Sequence, residues 1–336
     1  MDCKEFYFKG KEDLDIHVYK WTSKIVNPKA VVQIAHGMSE TAIRYEEFAK
    51  KLTENGYIVY INDHRGHGLT AKTIDNVGYL ADKDGFRCLV EDMNTLTNII
   101  KEPSTLEEEE YFQELDNLIT EENHDLPIYL FGHSMGSFAS QRYIMEYGNQ
   151  LDGLILSGSN GKHGEILKVG EFLSNYICKK HGRRHRSKTL DNLIFGGNNK
   201  KFKSSKTDFD WLSRDEKEVQ KYIDDSFCGV LFTCGFFYDF IKGLQEIENP
   251  QNLKKVPLDL PIYIMSGDRD PIGKDGKGVL RLRDRYINLG VKNVSCKLYE
   301  GGRHEMLNEI NKEEVMKDII SWLNERQNNI QTIKNC

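Results

Sequence analysis

Hydrophobic residues follow two different periods along the chain, and these periods predict its secondary structure. Near the N-terminus, apolar and polar residues alternate from Phe6 to Val18, which predicts a β-hairpin that turns near Gly10 and Asp13. After Pro28, short apolar strands alternate with segments of helical period. Strands are predicted at 30–35, 57–62, 128–131, 153–157, 261–266 and 294–299, and helices near 43–54, 86–100, 136–147, 279–289 and 312–324. This alternation predicts the α/β class, with a mostly parallel sheet covered by helices on both faces.

Two segments interrupt the alternation. Residues 101–125 carry ten acidic side chains against one basic one, Lys101, and we interpret them as a solvated helix extension. Residues 160–255 lack the strand–helix rhythm. Their first half is strongly basic, whereas 227–240 is apolar nearly all round and needs a covering partner. We therefore predict a core made of 1–159 and 256–336, with an insertion at 160–255.

Length and composition narrow the class of protein. A chain of 336 residues fits two domains or one α/β domain with an insertion equally well, and it can bury a core without disulfides. The net charge of −6 argues against nucleic acid as the main partner. Seven cysteines without a C-x-x-C pair favour reduced thiols, and the N-terminal residues do not resemble a signal peptide. These features predict a cytoplasmic protein, and they carry no prediction of its oligomeric state.

The sequence G-H-S-M-G at residues 132–136 is the candidate for a nucleophile. It fits G-x-S-x-G directly after a predicted strand and before a predicted helix, which is the context that a nucleophile elbow requires. Glycines permit so sharp a turn, and the turn lifts the Ser134 hydroxyl above the sheet. A serine hydroxyl also needs a base, and the base needs an orienting acid.

The base and the acid are expected downstream, in the order serine, acid, histidine. His304 follows the predicted strand 294–299 in a glycine-containing loop, whereas His163, His181 and His185 lie in the irregular insertion. The acid should follow the strand 261–266, where Asp268 and Asp270 compete. The G-x-x-D spacing favours Asp270, which would leave Asp268 to support the turn or to pair with Arg269; the sequence leaves both open.

Acyl transfer also requires hydrogen-bond donors for the oxyanion of the tetrahedral intermediate. The backbone N–H of Met135, the residue after the nucleophile, is one expected donor. The second should come from the loop after the strand 30–35, where His36-Gly37-Met38 places the N–H of Met38. His36 is interpreted as a structural residue at the end of that strand.

Several motifs together resemble the monoacylglycerol lipase and lysophospholipase branch of the α/β-hydrolases, over about residues 12 to 325. The motifs are H-G-M-S-E at 36–40, Arg44-Tyr45, D-H-R-G-H-G at 63–68, G-H-S-M-G at 132–136, Gly267–Asp270 and His304. The resemblance implies a Ser134–Asp270–His304 triad, an oxyanion hole from Met38 and Met135, and a cap over the acyl site. It implies no cofactor, and a structural rather than metal-binding role for Asp63, His64 and His67. One departure is Thr41, where the family usually has histidine.

The leading functional hypothesis is a serine hydrolase that cleaves a fatty acyl ester of glycerol or of a lysophospholipid. The aromatic stretch 227–241, with Phe232, Phe236 and Phe237, is expected to line the acyl pocket. The alternatives are a peptidase of the proline-aminopeptidase type and a lipid-binding protein without turnover. The basic run 179–186 is interpreted as a solvated face, with transient contact to an anionic membrane surface as the alternative.

Overall fold

The computed structural model describes residues 1–24, 27–102, 126–202 and 205–334. The acidic segment predicted as a helix extension, 101–125, lies outside the described residues except for its first two positions. The described part contains one eight-stranded sheet. Its strands are β1 (Asp2–Lys9), β2 (Asp15–Thr22), β3 (Ala30–Ala35), β4 (Tyr57–Asn62), β5 (Ile128–His133), β6 (Gly153–Ser157), β7 (Ile262–Gly267) and β8 (Val294–Tyr299).

The strands lie in the order β1-β2-β4-β3-β5-β6-β7-β8. The predicted N-terminal hairpin is present, because β1 pairs antiparallel with β2, and β2 pairs antiparallel with β4. All other neighbours are parallel. Every residue of β3, β4 and β5 is buried, as expected for strands that are covered on both faces. The predicted mostly parallel sheet is confirmed.

Helices cover both faces of this sheet, and each face has its own hydrophobic core. On one face lie α3 (Gly85–Lys101), α4 (Met135–Tyr147) and α10 (Lys277–Leu289). On the other lie α1 (Glu46–Glu54) and α11 (Lys312–Lys334). A short helix, α2 (Gly68–Ala71), follows β4. The carboxyl ends of the parallel strands therefore share one edge, and the loops that leave this edge carry the candidate site.

The segment between β6 and β7 is helical. It contains α5 (Ile166–His181), α6 (Lys188–Phe195), α7 (Glu216–Asp224), α8 (Cys234–Glu248) and α9 (Pro250–Leu253). The apolar stretch 227–240 is not one helix, because α8 begins at Cys234, where the Thr233 hydroxyl accepts a hydrogen bond from the Phe236 N–H. Helix α8 packs against α3, α4 and α5, which supplies the cover that its apolar surface requires. In the described part of the chain, no helix is both long and apolar enough to cross a membrane.

Candidate active site

Ser134 lies at the sharp turn between β5 and α4. Its backbone has φ 50° and ψ −118°, a conformation that L-residues rarely adopt. The flanking glycines permit the turn. A Cβ on Gly136 would lie 2.0 Å from the carbonyl oxygen of Ala35, and a Cβ on Gly132 would lie 2.4 Å from Ser140 Oγ. The strain and the close approach explain why the turn needs glycine on both sides of the serine.

The structure brings the three predicted catalytic residues together. His304 Nε2 lies 2.8 Å from Ser134 Oγ, and His304 Nδ1 lies 2.9 Å from Asp270 Oδ1. Asp270 is fully buried, and its other oxygen, Oδ2, accepts a hydrogen bond from the Ser266 hydroxyl at 2.8 Å. This is the geometry in which a histidine accepts the serine proton while a carboxylate orients the ring.

The competing carboxylate, Asp268, has a different role. Its Oδ1 accepts a hydrogen bond from the Gly301 N–H at 2.8 Å, and Arg269 lies 3.8 Å away. Asp268 therefore supports the loop that leads to His304, which is the structural role the sequence allowed for it. Of the two candidates, Asp270 is the one that contacts the histidine.

The charges of the site favour a protonatable histidine beside an ionised acid. Burial alone would lower the pKa of His304, but the carboxylate of Asp270, with smaller contributions from Glu305 and Glu40, raises that pKa above its ordinary value. Burial opposes ionisation of Asp270, yet His304 and the hydrogen bonds to the carboxylate hold the pKa of Asp270 below its usual range. Burial lowers the pKa of the adjacent His133 to about 4, so His133 is neutral at pH 7.

The predicted oxyanion donors lie at the same cavity as Ser134. Met135 is the first residue of α4, and the first N–H groups of a helix have no carbonyl partner within the helix. Met38 belongs to the loop after β3, and both methionines line the cavity. Gly37 lies close to Ser134, because a Cβ there would be 3.2 Å from Ser134 Cβ.

The histidines near this loop have structural partners. His36 Nε2 accepts a hydrogen bond from the His64 N–H at 2.9 Å, which ties the end of β3 to the turn after β4. In that turn, the Asp63 carboxylate accepts hydrogen bonds from the N–H groups of Ala42 and Leu69. His67 Nδ1 lies 3.0 Å from a backbone carbonyl oxygen. No cluster of three potential metal ligands occurs within the described ranges.

A cavity of about 610 Å³ opens beside Ser134. Its walls are mainly apolar. They come from α4, from the helical segment and from the loop after β7, and they include Phe138, Leu167, Leu190, Phe195, Trp211, Phe232, Phe240, Ile241, Leu244 and Ile272. Phe232 lies in this wall as expected, but Phe236 and Phe237 are fully buried behind it. Phe236 instead packs against the rings of Phe232 and His67.

The difference at Phe236 and Phe237 is one of position along the axis of α8. Phe240 and Ile241 follow them by four positions each, so the members of each pair lie on the same side of the helix. The cavity lies one helical turn further along, where Phe240, Ile241 and Leu244 line it, and Phe236 and Phe237 do not line it, contrary to the expectation.

Comparison with known proteins identifies the family. A model of the family described as serine aminopeptidase, S33, matches residues 26–311. The chain belongs to this family. It is 27% identical over 324 residues to a monoacylglycerol lipase of Mycolicibacterium smegmatis, covering 95% of this chain and 96% of the relative. It is 25% identical over 308 residues to a monoglyceride lipase of Mus musculus, covering 89% and 84% of the two chains.

Solved structures agree with this assignment. The fold is similar to that of a thermostable carboxyl esterase from Bacillus coagulans in complex with glycerol, with a TM-score of 0.84 and 30% identity over 97% of this chain and 99% of the other. The α/β-hydrolase fold and the resemblance to the monoacylglycerol lipase branch, both inferred from the sequence motifs, are confirmed.

Two features of this S33 family member were missed by the sequence analysis. The ring of Trp211, in the helical segment, lies 5.0 Å from the ring of His304. Arg44 and Glu305 form a buried ion pair next to the site. Arg44 was noted as part of a motif, but its partner is 261 positions away along the chain. A single sequence contains no signal for such a pair beyond an acidic residue directly after His304.

Proposed function

We propose that the protein is a serine carboxylic ester hydrolase that cleaves fatty acyl esters of glycerol or of a lysophospholipid. One observation carries this proposal: the hydrogen-bonded chain from Ser134 through His304 to Asp270 lies at a cavity of about 610 Å³ with mainly apolar walls. The triad geometry suits acyl transfer, and the apolar wall suits a hydrocarbon chain. The lipases among its relatives point the same way.

In the proposed reaction, the Ser134 hydroxyl attacks the ester carbonyl carbon while His304 Nε2 takes the hydroxyl proton. The N–H groups of Met38 and Met135 stabilise the oxyanion. His304 then gives its proton to the leaving alcohol, and an acyl ester remains on Ser134. Water, deprotonated by His304, attacks this ester. The bond between the acyl carbon and Ser134 Oγ then breaks, the fatty acid leaves, and His304 returns the proton to Ser134 Oγ. Asp270 keeps the proton of the neutral ring on Nδ1 throughout, so that Nε2 faces the serine.

The substrate class is tested with a panel of p-nitrophenyl esters, monoacylglycerols, lysophospholipids and aminoacyl anilides. We expect hydrolysis of medium- and long-chain esters, faster than of acetate esters, and no hydrolysis by Ser134→Ala. The matched control is Ser205→Ala, which removes an exposed serine hydroxyl far along the chain from the elbow. A profile that peaks at acetate would contradict the lipid assignment.

The second candidate is a peptidase, because the matching family model is described as a serine aminopeptidase. The same panel separates the two functions. Preferential cleavage of aminoacyl anilides over every ester would favour the peptidase. A lipid-binding protein without turnover would cleave no member of the panel although Ser134, His304 and Asp270 are all in place.

We also propose that 160–255 forms a cap whose outer surface contacts an anionic membrane. The basic run is less available than the sequence suggested: Arg183 forms an ion pair with Asp239, and Arg186 donates to the carbonyl oxygens of Ile74 and Asp75. The exposed surface of α5 supports the contact better. It carries the apolar side chains Ile166, Val169, Phe172 and Tyr176, followed by the exposed Lys179 and Lys180.

Vesicle binding tests this contact. We expect the protein to bind phosphatidylglycerol vesicles more strongly than phosphatidylcholine vesicles, since each lysine near an anionic surface contributes about 1 kcal/mol. Phe172→Ser and Lys179→Gln should weaken binding while the hydrolysis of soluble esters is unchanged. Ile310→Ser, which alters another exposed apolar side chain outside α5, is the control. Equal binding by Phe172→Ser and wild type would contradict the proposal.

The cytoplasmic location predicted from the sequence is retained as a proposal. The six cysteines within the described residues are free thiols, which is compatible with a reducing compartment. Cell fractionation with an antibody to the protein tests this location, and recovery in an extracellular or periplasmic fraction would contradict it.

A further inference from the structure

A buried ion-pair network joins two loops beside the nucleophile. Arg44 donates to Glu40 Oε2 at 2.7 Å and to both carboxylate oxygens of Glu305 at 2.9 and 2.6 Å. The Tyr45 hydroxyl donates to Glu40 Oε1 at 2.9 Å, and the Asn308 amide donates to Glu305 Oε2 at 2.8 Å. The three charged side chains are almost entirely buried, with exposed fractions of 11% for Arg44, 4% for Glu40 and 7% for Glu305.

Each carboxylate belongs to a different part of the reaction machinery. Glu40 accepts a hydrogen bond from the Gly37 N–H at 2.5 Å, and so closes the loop 37–40 that carries Met38. Glu305 directly follows His304 in the chain. Arg44 therefore connects the loop of a predicted oxyanion donor with the loop of the candidate base.

The two loops leave strands that are not neighbours in the sheet. The loop 37–40 leaves β3 and the His304 loop leaves β8, and β5, β6 and β7 lie between them. At a strand spacing of about 4.8 Å, the two strands are about 19 Å apart. The two loops nevertheless meet at Ser134. Arg44 links them directly, because it binds Glu40 in one loop and forms a bidentate contact with Glu305 in the other.

The chemistry of the network suits a rigid link. Buried ions are costly unless their hydrogen bonds are made, and here Arg44 and its partners supply several short ones. The planar guanidinium fork matches a carboxylate in one orientation, whereas an ammonium group can hold it in many. Removing the guanidinium would leave two buried carboxylates without their counterion.

We propose that Arg44 is a positioning residue for ester hydrolysis, which holds the loop 37–40 against the loop of His304 through Glu40 and Glu305. The inference rests on the proposed function, because the alignment of the two loops matters when a tetrahedral intermediate forms on Ser134. Losing one oxyanion donor lowers kcat by about 10²–10³. A displaced donor costs less, so loss of Arg44 should lower kcat by about 10- to 100-fold. KM should change little, because the acyl wall comes from other residues.

The pH profile gives a readout that loss of packing alone would not change. The charged and titratable groups that act on His304 are Asp270, Glu305, Glu40 and His133. Arg44 neutralises part of the negative charge of the two glutamates. Arg44→Gln should therefore raise the pKa of His304 further. The acid limb of the pH profile, over which kcat/KM decreases as the pH falls, should then move to higher pH. Glu305→Gln removes a negative charge and should move that limb to lower pH.

The experiment measures kcat, KM and the acid limb for p-nitrophenyl butyrate in four variants. Arg44→Gln and Glu305→Gln should both lower kcat, with acid limbs displaced in opposite directions. Arg44→Lys keeps the positive charge but lacks the planar guanidinium group, and its kcat should lie between those of Arg44→Gln and wild type. The control is Arg87→Gln, which removes an exposed ion pair with Glu91 on α3 and should behave as wild type.

Labelling with a fluorophosphonate separates the two proposals. A wild-type protein that is not labelled contradicts the proposed function itself. If wild type is labelled, and Arg44→Gln is labelled at the same rate and has the same kcat, the role of Arg44 is overturned while the proposed function stands. If Arg44→Gln does not fold, as judged by its thermal melt, Glu305→Gln decides. An unchanged kcat in Glu305→Gln then overturns the inference, and a lowered kcat with a downshifted acid limb supports it.

Discussion

Replacement of Asp270 by asparagine should be far more damaging than the same replacement at Asp268. In the structure, Asp270 Oδ1 accepts a hydrogen bond from His304 Nδ1. An asparagine of the same shape can present its NH₂ group there, which would favour the tautomer with the proton on Nε2. Such a ring cannot accept the proton of Ser134. A loss of about 10⁴ in kcat is expected when a triad acid is replaced in this way.

Asp268→Asn provides the matched control. Its hydrogen bond from the Gly301 N–H needs an oxygen acceptor, which asparagine retains. The contact with Arg269 is long, 3.8 Å, and exposed to solvent, so its loss should cost less than about 1 kcal/mol. We therefore expect Asp268→Asn to keep kcat/KM within about tenfold of wild type.

The assay is the hydrolysis of p-nitrophenyl butyrate as a function of pH, with thermal melts to verify folding. The base acts when neutral, and Asp270 raises the pKa of His304 above 6.5, so wild-type activity should fall as the pH drops through a value above 6.5. In Asp270→Asn the residual activity should persist to lower pH. Near-equal losses in the two variants, or a greater loss in Asp268→Asn, would refute the assignment of the acid.

Three further predictions follow from the packing. Phe240→Ala should flatten the dependence of kcat/KM on acyl chain length, which a series of esters measures. Phe236→Ala should keep that dependence but lower the free energy of unfolding, measured by urea titration, by about 3–5 kcal/mol. Burial lowers the pKa of His36 to about 4 and of His67 to about 3, so the unfolded chain binds more protons below pH 6.5. As the pH is lowered from roughly 6 to 4, these two groups should therefore reduce the free energy of unfolding by about 2 kcal/mol per pH unit. Gly136→Ala should abolish labelling of Ser134 and lower the melting temperature, because the new Cβ would meet a backbone oxygen at 2.0 Å.

The features that the sequence alone predicts are those determined by residues close to them in the chain. The turn at Ser134 requires glycines within two positions of it, and the parallel strands are continuous apolar runs. The position of His304 follows from the same logic, since it lies in a loop directly after a strand. Each of these features depends on neighbours in the chain, so a single sequence contains the signal.

The features that escaped prediction depend on distant contacts. Phe236 and Phe240 lie on the same side of α8, and which of them lines the cavity depends on where other parts of the chain pack along the helix. The link between Arg44 and Glu305 joins residues 261 positions apart. Long-range pairing of this kind is determined by the completed sheet and not by any local pattern.

Covalent labelling of the nucleophile tests the central claim most directly. Wild-type protein is treated with a fluorophosphonate, digested, and the modified peptide is identified by mass spectrometry. A hydrolase that acts through the proposed triad should give a single phosphonylated site at Ser134, with labelling abolished in Ser134→Ala and strongly slowed in Asp270→Asn. An unlabelled wild type, or a label on another residue together with full ester hydrolysis by Ser134→Ala, would contradict the account.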